Sequence, residues 1–388
     1  MYIGLITGEY PPMQGGVGDF TRELGQALAD LGHEVHVLTG VSSAAPRVSR
    51  GAGHVSLTVH RVVDGWGWGC WRQVLAMALE LGLEVLDVQY QAAAYGMHPA
   101  INFVPRRRGR DQPPVVATFH DLNVPYLFPK AGLLRWWVVR MMARRADRAI
   151  VTNQEDYVRL GTEIPSKHVR LIPIGSNIPG DPPPGYDRDI ERTRWGVGPD
   201  DLLLGYFGFL NESKGGEELM RALALLVEAG VPAHLLMIGG RVGSSDPTNE
   251  AYAERVESLI GKLGLGERVH WTGYSRPEEV SATLLATDVC VMPYRDGVSF
   301  RRGTLHACLV HGRPIVTTRP ALPLPQARDG ENMLLVKPRH PEGLAEAVTR
   351  LASDLALRER LEAGALALAA EFTWERIARQ TVALFGRL

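Results

Sequence analysis

The sequence predicts an α/β fold of two doubly wound, Rossmann-like parallel-sheet domains that face each other across a cleft. Three observations lead to this prediction. Short apolar runs alternate with amphipathic segments at helical spacing, which is typical of βαβ units in a parallel sheet. The chain has 388 residues, which is longer than a domain with a single hydrophobic core usually is. A stretch rich in proline, glycine and aspartate interrupts the alternation at residues 176–200, and we interpret it as a linker.

The chain opens with a βαβ pattern. Residues 3–7 and 35–38 are short apolar runs that predict the first two strands. Between them, a glycine-rich turn at 15–18 leads into apolar residues at helical spacing, and Gly32 ends that helix. The turn lacks the third glycine of a dinucleotide-binding motif, and no acidic residue ends the second strand, so a nicotinamide-dinucleotide site is not predicted.

The rest of the first domain, which we place at residues 1–175, continues the alternation. The strand at 115–119 is followed directly by His120 and Asp121, which puts both side chains at the edge where α/β sheets bind ligands. The other elements predicted here are strands at 85–88, 148–152 and 169–173 and a basic helix at 133–146.

The second domain, placed at residues 201–372, repeats the pattern. A last helix at 373–388, with a threonine N-cap and a glutamate in its first turn, is expected to pack back on the first domain. The strands predicted in the second domain lie at 202–207, 234–238, 269–272, 289–292, 315–318 and 333–336.

A loop between residues 294 and 303 concentrates positive charge where ligands of α/β sheets bind. It follows the apolar run at 289–292 and carries Arg301 and Arg302 directly before a predicted helix that starts at Gly303. The free N–H groups at a helix N-terminus attract anions. We therefore interpret the loop as a pyrophosphate cradle; the alternative is a solvated loop with incidental arginines.

Composition limits the classes of function. The formal net charge of −1 gives no overall attraction to nucleic acid. The three cysteines are scattered, which predicts neither a disulfide framework nor a metal-ligand cluster and fits a reducing cytoplasm. No signal peptide and no membrane-spanning run are predicted, so we expect a cytoplasmic protein that is at most peripherally attached to a membrane.

A series of short motifs, in order and spacing, resembles the retaining glycosyltransferases of family 4, which have the GT-B fold. The motifs lie at residues 15–18, 32–35, 118–121, 208–215, 272–274, 286–289, 292–294, 312–316 and 329–332. The resemblance implies transfer of a sugar from a nucleotide diphosphate sugar to a small-molecule, glycan or lipid-linked acceptor, with retention of configuration. It further implies an acceptor-side first domain, a donor-binding second domain, and no cofactor or bound metal.

The resemblance also implies candidate site residues. Lys214 matches the family lysine that contacts the diphosphate, and His120 matches the histidine that approaches the donor sugar. Asp121 is expected either to orient His120 or to cap the next segment. The residues expected to bind the donor and its phosphates are Gly15, Gly16, Gly18, Gly208, Asn211, Ser299, Arg301, Arg302, Gly303 and Thr304, with Gly239, Gly273 and Tyr274 near the nucleotide base.

The sequence departs from the family pattern at three charged positions. Phe209 stands where the family usually has an arginine, and Ser299 and Ala307 stand where many members carry two glutamates. We expect Arg301 and Arg302 to supply the missing positive charge, since guanidinium groups suit phosphate oxygens. These departures indicate a divergent subfamily. The alternatives are a catalytically inactive nucleotide-sugar-binding protein and another GT-B enzyme, such as a nucleotide-sugar epimerase.

The segment at 130–148 contains six basic residues against one acidic residue and includes Trp136 and Trp137. Basic helices with tryptophan bind anionic membrane surfaces, so peripheral membrane contact and a lipid-linked acceptor are one interpretation. The other is a helix that covers the sheet, with Val138, Met141 and Met142 facing inward and the arginines solvated.

Overall fold

The computed structural model describes residues 1–13, 15–51, 53–122, 132–241 and 247–388. These residues divide into two compact units. One contains Met1–Gly175 and Thr373–Leu388, and the other contains Ser176–Phe372.

Strands and helices alternate along both units. The strands are β1 (Tyr2–Thr7), β2 (Glu34–Gly40), β3 (Val48–Gly51), β4 (His54–Val63), β5 (Val85–Tyr90), β6 (Val115–Phe119), β7 (Arg148–Val151), β8 (Val169–Leu171), β9 (Leu202–Phe207), β10 (Ala233–Ile238), β11 (Val269–Gly273), β12 (Val289–Met292), β13 (Ile315–Thr318) and β14 (Leu334–Val336). The helices are α1 (Gly16–Asp30), α2 (Cys70–Glu80), α3 (Val104–Arg107), α4 (Gly132–Arg145), α5 (Gln154–Gly161), α6 (Arg188–Arg194), α7 (Gly216–Glu228), α8 (Pro247–Lys262), α9 (Pro277–Ala286), α10 (Gly303–Val310), α11 (Pro341–Ser353), α12 (Leu355–Ala369) and α13 (Trp374–Phe385).

The first unit is built on one sheet, in the order β3-β4-β2-β1-β5-β6-β7-β8. All neighbouring strands are parallel except β3, which pairs antiparallel with β4 at the edge. Sequence reasoning did not identify β3, β4 or α2. For β3 the reason is local: this edge strand is short and partly exposed, and it lacks a continuous apolar run.

The C-terminal helix α13 belongs to the first unit. Trp374 lies edge-on to Phe20 of α1, with 5.1 Å between ring centroids, and Ile377 is fully buried in the core beneath that helix. Thr373 caps α13, because its hydroxyl accepts a hydrogen bond from the N–H of Arg376 at 3.3 Å. The chain thus returns to its first domain after completing the second.

The second unit is built on one parallel sheet, in the order β11-β10-β9-β12-β13-β14. The central strands β9 and β12 are almost wholly buried, as expected for a sheet covered by helices on both faces. The two parallel-sheet units confirm the predicted α/β fold class.

Residues 176–200, which we predicted to be a loosely packed linker, lie within the second unit. They form α6, where the Arg192 side chain is only 2% exposed and pairs with Asp288 at 2.9 Å. Val197 is buried in the same core. The packing of this segment was not predicted because proline-rich composition indicates only local properties of the chain. The segment is anchored by an ion pair between Arg192 and a residue 96 positions away.

Candidate functional site

The centre of the second sheet is a topological switch point. The chain leaves β9 toward β10 on one side and β12 toward β13 on the other, while β9 and β12 are neighbours. In open α/β sheets the carboxyl ends of two such strands form a crevice where ligands bind. Gly208 directly follows β9, and the arginine-containing loop follows β12, so both predicted motifs arrive at this crevice.

Gly208, Lys214 and Thr304 converge at this edge. Gly208 has a φ of 120°, a backbone conformation that favours glycine. A Cβ atom placed on it would lie 3.1 Å from the Lys214 Nζ and 2.9 Å from the Thr304 Cγ2. Glycine at this position therefore leaves room for the Lys214 ammonium group. Thr304 lies in the first turn of α10, which begins at Gly303.

Burial, together with the nearby Arg302 guanidinium, lowers the pKa of the Lys214 ammonium to about 8. At pH 7 the lysine is still charged. An anion placed beside it would restore the charged form at higher pH, because an opposite charge favours ionisation. Among the residues that the structure describes, no carboxylate pairs with this ammonium group.

Arg301 and Arg302 differ in their surroundings, although both donate to the Asp296 carboxylate at 2.6 Å. The Arg302 guanidinium lies over the Tyr294 ring, 3.9 Å from its centroid, and the side chain is 10% exposed against 22% for Arg301. The Arg302 Nη1 is buried and has no hydrogen-bond partner among the residues that the structure describes. A buried donor without a partner is costly, which makes Arg302 the better candidate of the two for contact with an anion.

The loop that carries Lys214 is fixed by Arg295, which sequence reasoning missed. The Arg295 guanidinium pairs with Glu218 at 2.9 Å, Glu217 at 2.6 Å and Glu212 at 3.0 Å. Its backbone N–H donates to the carbonyl of residue 213 at 2.8 Å. Arg295 therefore joins the loop after β12 to the loop after β9. A cluster of glutamates at 212, 217 and 218 was the available sequence signal.

Asn211 begins the short turn that contains Lys214. Its carbonyl accepts a hydrogen bond from the Lys214 N–H at 3.1 Å, and its Oδ1 accepts one from the Ser213 hydroxyl at 2.8 Å. The turn ends at Gly215, with a φ of 71°, where a Cβ would collide with the carbonyl of Pro293. Asn211 thus shapes the loop, and a contact to the donor remains a prediction.

The positions that depart from the family pattern lie in the segments that follow β9 and β12. Ser299 is 4% exposed and Ala307, inside α10, is fully buried. Phe209 is 42% exposed, directly after Gly208. Between these positions, Asp296 is occupied by its two arginine partners and holds the loop together.

The residues predicted near the nucleotide base lie at the ends of β10 and β11, on the β9 side of the crevice. Gly239 and Gly273, which follow β10 and end β11, form an isolated antiparallel bridge. The Gly239 N–H donates to the Thr272 hydroxyl at 3.0 Å. Tyr274 follows at once and is 69% exposed. An exposed aromatic ring next to open backbone is suitable for stacking on a base.

In the first unit, His120 ends a chain of buried polar side chains. Asp87 and Gln89, both fully buried on β5, are joined by a 2.8 Å hydrogen bond from the Gln89 Nε2 to the Asp87 Oδ2. The Gln89 Oε1 lies 2.9 Å from the His120 Nε2. Burial lowers the pKa of His120 to about 3, so the imidazole is neutral at pH 7 and carries no positive charge to the site.

Asp87 and Gln89 were missed from the sequence. The signal was present, since an acidic residue inside an otherwise apolar strand has to be paired. Burial raises the pKa of Asp87 to about 6, against hydrogen bonds from Thr118 and Gln89 that lower it. Asp121, next to His120, lies beside Leu122 at the same sheet edge, and both of its predicted roles remain open.

A carboxylate occupies the glycine turn at the start of α1. The Glu9 Oε1 accepts hydrogen bonds from the N–H groups of Val17 at 3.0 Å and Gly18 at 3.3 Å. A Cβ on Gly15 would collide with this carboxylate, whereas one on Gly16 would meet no atom within 4 Å. Phosphate binding by this turn thus remains a prediction that requires Glu9 to give up its place, an interaction that sequence reasoning did not foresee.

Comparison with known proteins identifies the two units separately. A family model described as Glycosyltransferase Family 4 matches residues 14–178, and one described as Glycosyl transferases group 1 matches residues 201–354. A D-inositol 3-phosphate glycosyltransferase of Corynebacterium jeikeium is 30% identical over 63% of this chain and 58% of its own length. One of Actinosynnema mirum is 27% identical over 96% of this chain and 92% of its own length. For most such relatives, the match spans about half of their length.

Two solved structures share the fold over the whole chain. Sucrose-phosphate synthase from Thermosynechococcus elongatus superposes with a TM-score of 0.77 at 24% identity, covering 100% of this chain and 98% of the other. The Anabaena protein HepE, solved in complex with UDP and glucose, has a TM-score of 0.77 at 19% identity and covers 100% of both chains. The two parallel-sheet units therefore have the GT-B fold, and a glycosyltransferase family model matches each of them.

Proposed function

We propose that the protein transfers a sugar from a nucleotide diphosphate sugar to an acceptor hydroxyl, with retention of anomeric configuration. The observation that carries this proposal is the cationic crevice at the switch point, formed by Gly208, Lys214, Arg302 and Thr304. Transfer breaks the bond between the sugar and the diphosphate, and the electron pair stays on the diphosphate. Catalysis therefore requires fixed positive charge at that point.

The geometry around the crevice supports a role for each of these side chains. Lys214 offsets the charge of the leaving diphosphate, and Thr304 offers a hydroxyl at the α10 N-terminus. Arg302 adds a guanidinium with one N–H that is unpaired among the described residues. Retention and an approach of His120 to the sugar rest on the resemblance to family 4. We also propose that these cations replace a bound metal ion.

The most direct test is donor binding followed by donor turnover. HepE structures contain UDP and UDP-glucose, so UDP-sugars are the first donors to screen by thermal shift, with D-inositol 3-phosphate among the acceptors. We expect one nucleotide diphosphate sugar to raise Tm, by mass action, and to be turned over equally with and without EDTA. Binding without hydrolysis or transfer would instead favour an inactive sugar-binding protein. Loss of turnover in EDTA, restored by Mg²⁺ or Mn²⁺, would contradict the metal-free mechanism.

We further propose that the acceptor is lipid-linked and is reached at an anionic membrane surface. An apolar groove of about 290 Å³ in the first unit includes Tyr90, Trp68 and Trp137 in its lining. A second depression shares Trp137 and is lined by arginines 106, 140, 144 and 145. An apolar groove beside a basic pocket complements a hydrocarbon chain next to a phosphate.

The position of this surface fits an acceptor site. Tyr90 ends β5, and its carbonyl accepts the backbone N–H of His120 at 3.0 Å, so the groove begins at the candidate catalytic edge. On α4, Val138 and Met142 are buried and Met141 is partly buried, whereas Trp137 is 50% exposed and Leu134 is 66% exposed. Helix α4 therefore covers the sheet with one buried face, as the second interpretation predicted, and it also has an exposed apolar face. No described helix is long and apolar enough to cross a bilayer, and Lys130 lies outside the described residues.

Co-sedimentation with vesicles tests this surface. Replacing both Arg144 and Arg145 with alanine should weaken binding to phosphatidylglycerol vesicles by about 2 kcal/mol, since each basic residue near an anionic surface contributes roughly 1 kcal/mol. The matched control replaces Arg47 and Arg50, two exposed arginines of the same unit, and should bind like the parent. Equal losses in both variants, or no binding by the parent, would favour a solvated helix face.

A further inference from the structure

When Asp87 is ionised, the hydrogen bonds between Asp87, Gln89 and His120 have only one consistent direction. Asp87 accepts from the Thr118 hydroxyl at 2.7 Å on one oxygen and from the Gln89 amide at 2.8 Å on the other. An ionised carboxylate only accepts, so the Gln89 Nε2 must be its donor. The remaining Gln89 atom, Oε1, also only accepts, and it lies 2.9 Å from the His120 Nε2. The neutral imidazole must therefore carry its proton on Nε2.

This assignment leaves the other ring nitrogen as a lone-pair acceptor. The described residues provide no hydrogen-bond partner for the His120 Nδ1. The ring plane is also fixed, because Phe20 packs edge-to-face on it with 4.5 Å between centroids and an interplanar angle of 72°. The backbone N–H of His120 is bound to the Tyr90 carbonyl at 3.0 Å.

We propose that Asp87 and Gln89 are positioning residues that hold His120 as the Nε2–H tautomer and present its Nδ1 lone pair to a hydroxyl of the bound sugar. The part that concerns the sugar rests on the proposed function. Neither residue needs to touch a substrate, because their effect passes through the ring of His120. Strand pairing provides the geometry: Gln89 of β5 lies opposite Thr118 of β6, two residues before His120.

The burial of Asp87 argues against a purely structural role. A carboxylate fully enclosed between strands loses its hydration, and hydrogen-bonded or apolar replacements of similar shape are often as stable or more stable. A single apolar residue at this position would fill the same core. What an apolar residue cannot do is fix the orientation of the Gln89 amide, which decides whether His120 donates or accepts at Nε2.

The tautomer can be read directly by ¹⁵N-edited NMR of histidine-labelled protein, with the His120 signals assigned by their loss in His120→Asn. We expect a protonated, pyrrole-type Nε2 and an unprotonated, pyridine-type Nδ1 in the parent. Gln89→Leu removes the acceptor that faces Nε2 and should therefore release the fixed tautomer. Asp87→Asn should remove the fixed tautomer, since an amide can orient Gln89 either way. An Nδ1–H tautomer in the parent would overturn the proposal.

Kinetics separates positioning from stability. Asp87→Asn and Gln89→Leu should lower kcat by roughly tenfold to a hundredfold, with little change in donor KM. This range is the one found for residues that orient metal-binding histidines through a hydrogen bond. Thr118→Val is the matched control: it removes a hydrogen bond to the same carboxylate but leaves the Gln89–His120 bond. We expect it to keep the parent tautomer and nearly the parent kcat, even if Tm falls as in Asp87→Asn.

Two results would contradict the positioning role. One is an equal loss of kcat in Thr118→Val and Asp87→Asn, and the other is an unchanged tautomer in both Asp87→Asn and Gln89→Leu. The NMR measurement needs neither donor nor acceptor. If the protein has the expected tautomers but no transferase activity, the proposed reaction is wrong. The hydrogen-bond chain from Asp87 to His120 would still be supported.

Discussion

Lys214→Ala is expected to lower the rate of sugar transfer by about 10²–10³-fold, the usual loss when one charge-stabilising donor is removed. The Lys214 Nζ lies beside Gly208 in a crevice where the charge of the departing diphosphate would develop. The side chain is half-buried and has no carboxylate partner among the described residues, so its removal should leave the fold intact. Turnover of the identified donor and Tm are the two measurements. Lys262→Ala, an exposed lysine at the end of α8, is the control and should retain parent activity.

The same lysine provides a pH signature. Its pKa is lowered to about 8, so its charge is present at pH 7 and is lost in the free protein as the pH rises through 8. A bound diphosphate raises that pKa, and the Kd for a nucleoside diphosphate should therefore increase between about pH 7 and pH 9. Lys214→Arg keeps its charge over this range and should show a flatter profile. Unchanged turnover in Lys214→Ala, or a pH profile shared by all variants, would remove Lys214 from the mechanism.

Arg302→Ala is expected to weaken nucleoside diphosphate binding by about 1.5–3 kcal/mol, the range for a charge-assisted hydrogen bond. Phe209 leaves the usual arginine position empty of charge, and Arg302 is the neighbour with a buried N–H unpaired among the described residues. Arg301→Ala should have the smaller effect, because the Arg301 side chain is more exposed and Asp296 keeps its other partner. Titration calorimetry with each variant gives the two free energies.

Further variants define the contact. Arg302→Lys keeps a charge but loses the planar guanidinium, so its affinity should fall between those of the parent and Arg302→Ala. A nucleoside monophosphate should lose less affinity than the diphosphate if the contact is to the distal phosphate. Tm must be compared as well, since Arg302 also packs on Tyr294. If both arginine-to-alanine variants bind the diphosphate like the parent, Arg301 and Arg302 do not replace the arginine that is absent at position 209. That result would support a catalytically inactive site.

Periodicity and glycine placement were sufficient to predict most of the fold. Each predicted strand of the second domain has a counterpart, because a buried parallel strand is a continuous apolar run and the helices between them carry an apolar stripe. The same reading identified the loop before α10 as cationic. It failed at residues 176–200 and at β3, where composition or a weak apolar pattern hid elements that long-range contacts hold in place.

The sequence by itself therefore determined the α/β class, the division into two domains and the cationic stretch from Arg301 to Thr304. Tertiary structure alone decided which groups meet. It gave Arg302 different surroundings from the adjacent Arg301. It also placed the Glu9 carboxylate on the N–H groups of the first glycine turn. Finally, it connected Asp87 on β5 through Gln89 to His120, which follows β6. Periodicity is a local property of the chain, whereas these contacts depend on the pairing of strands and on turns between residues that are distant in sequence.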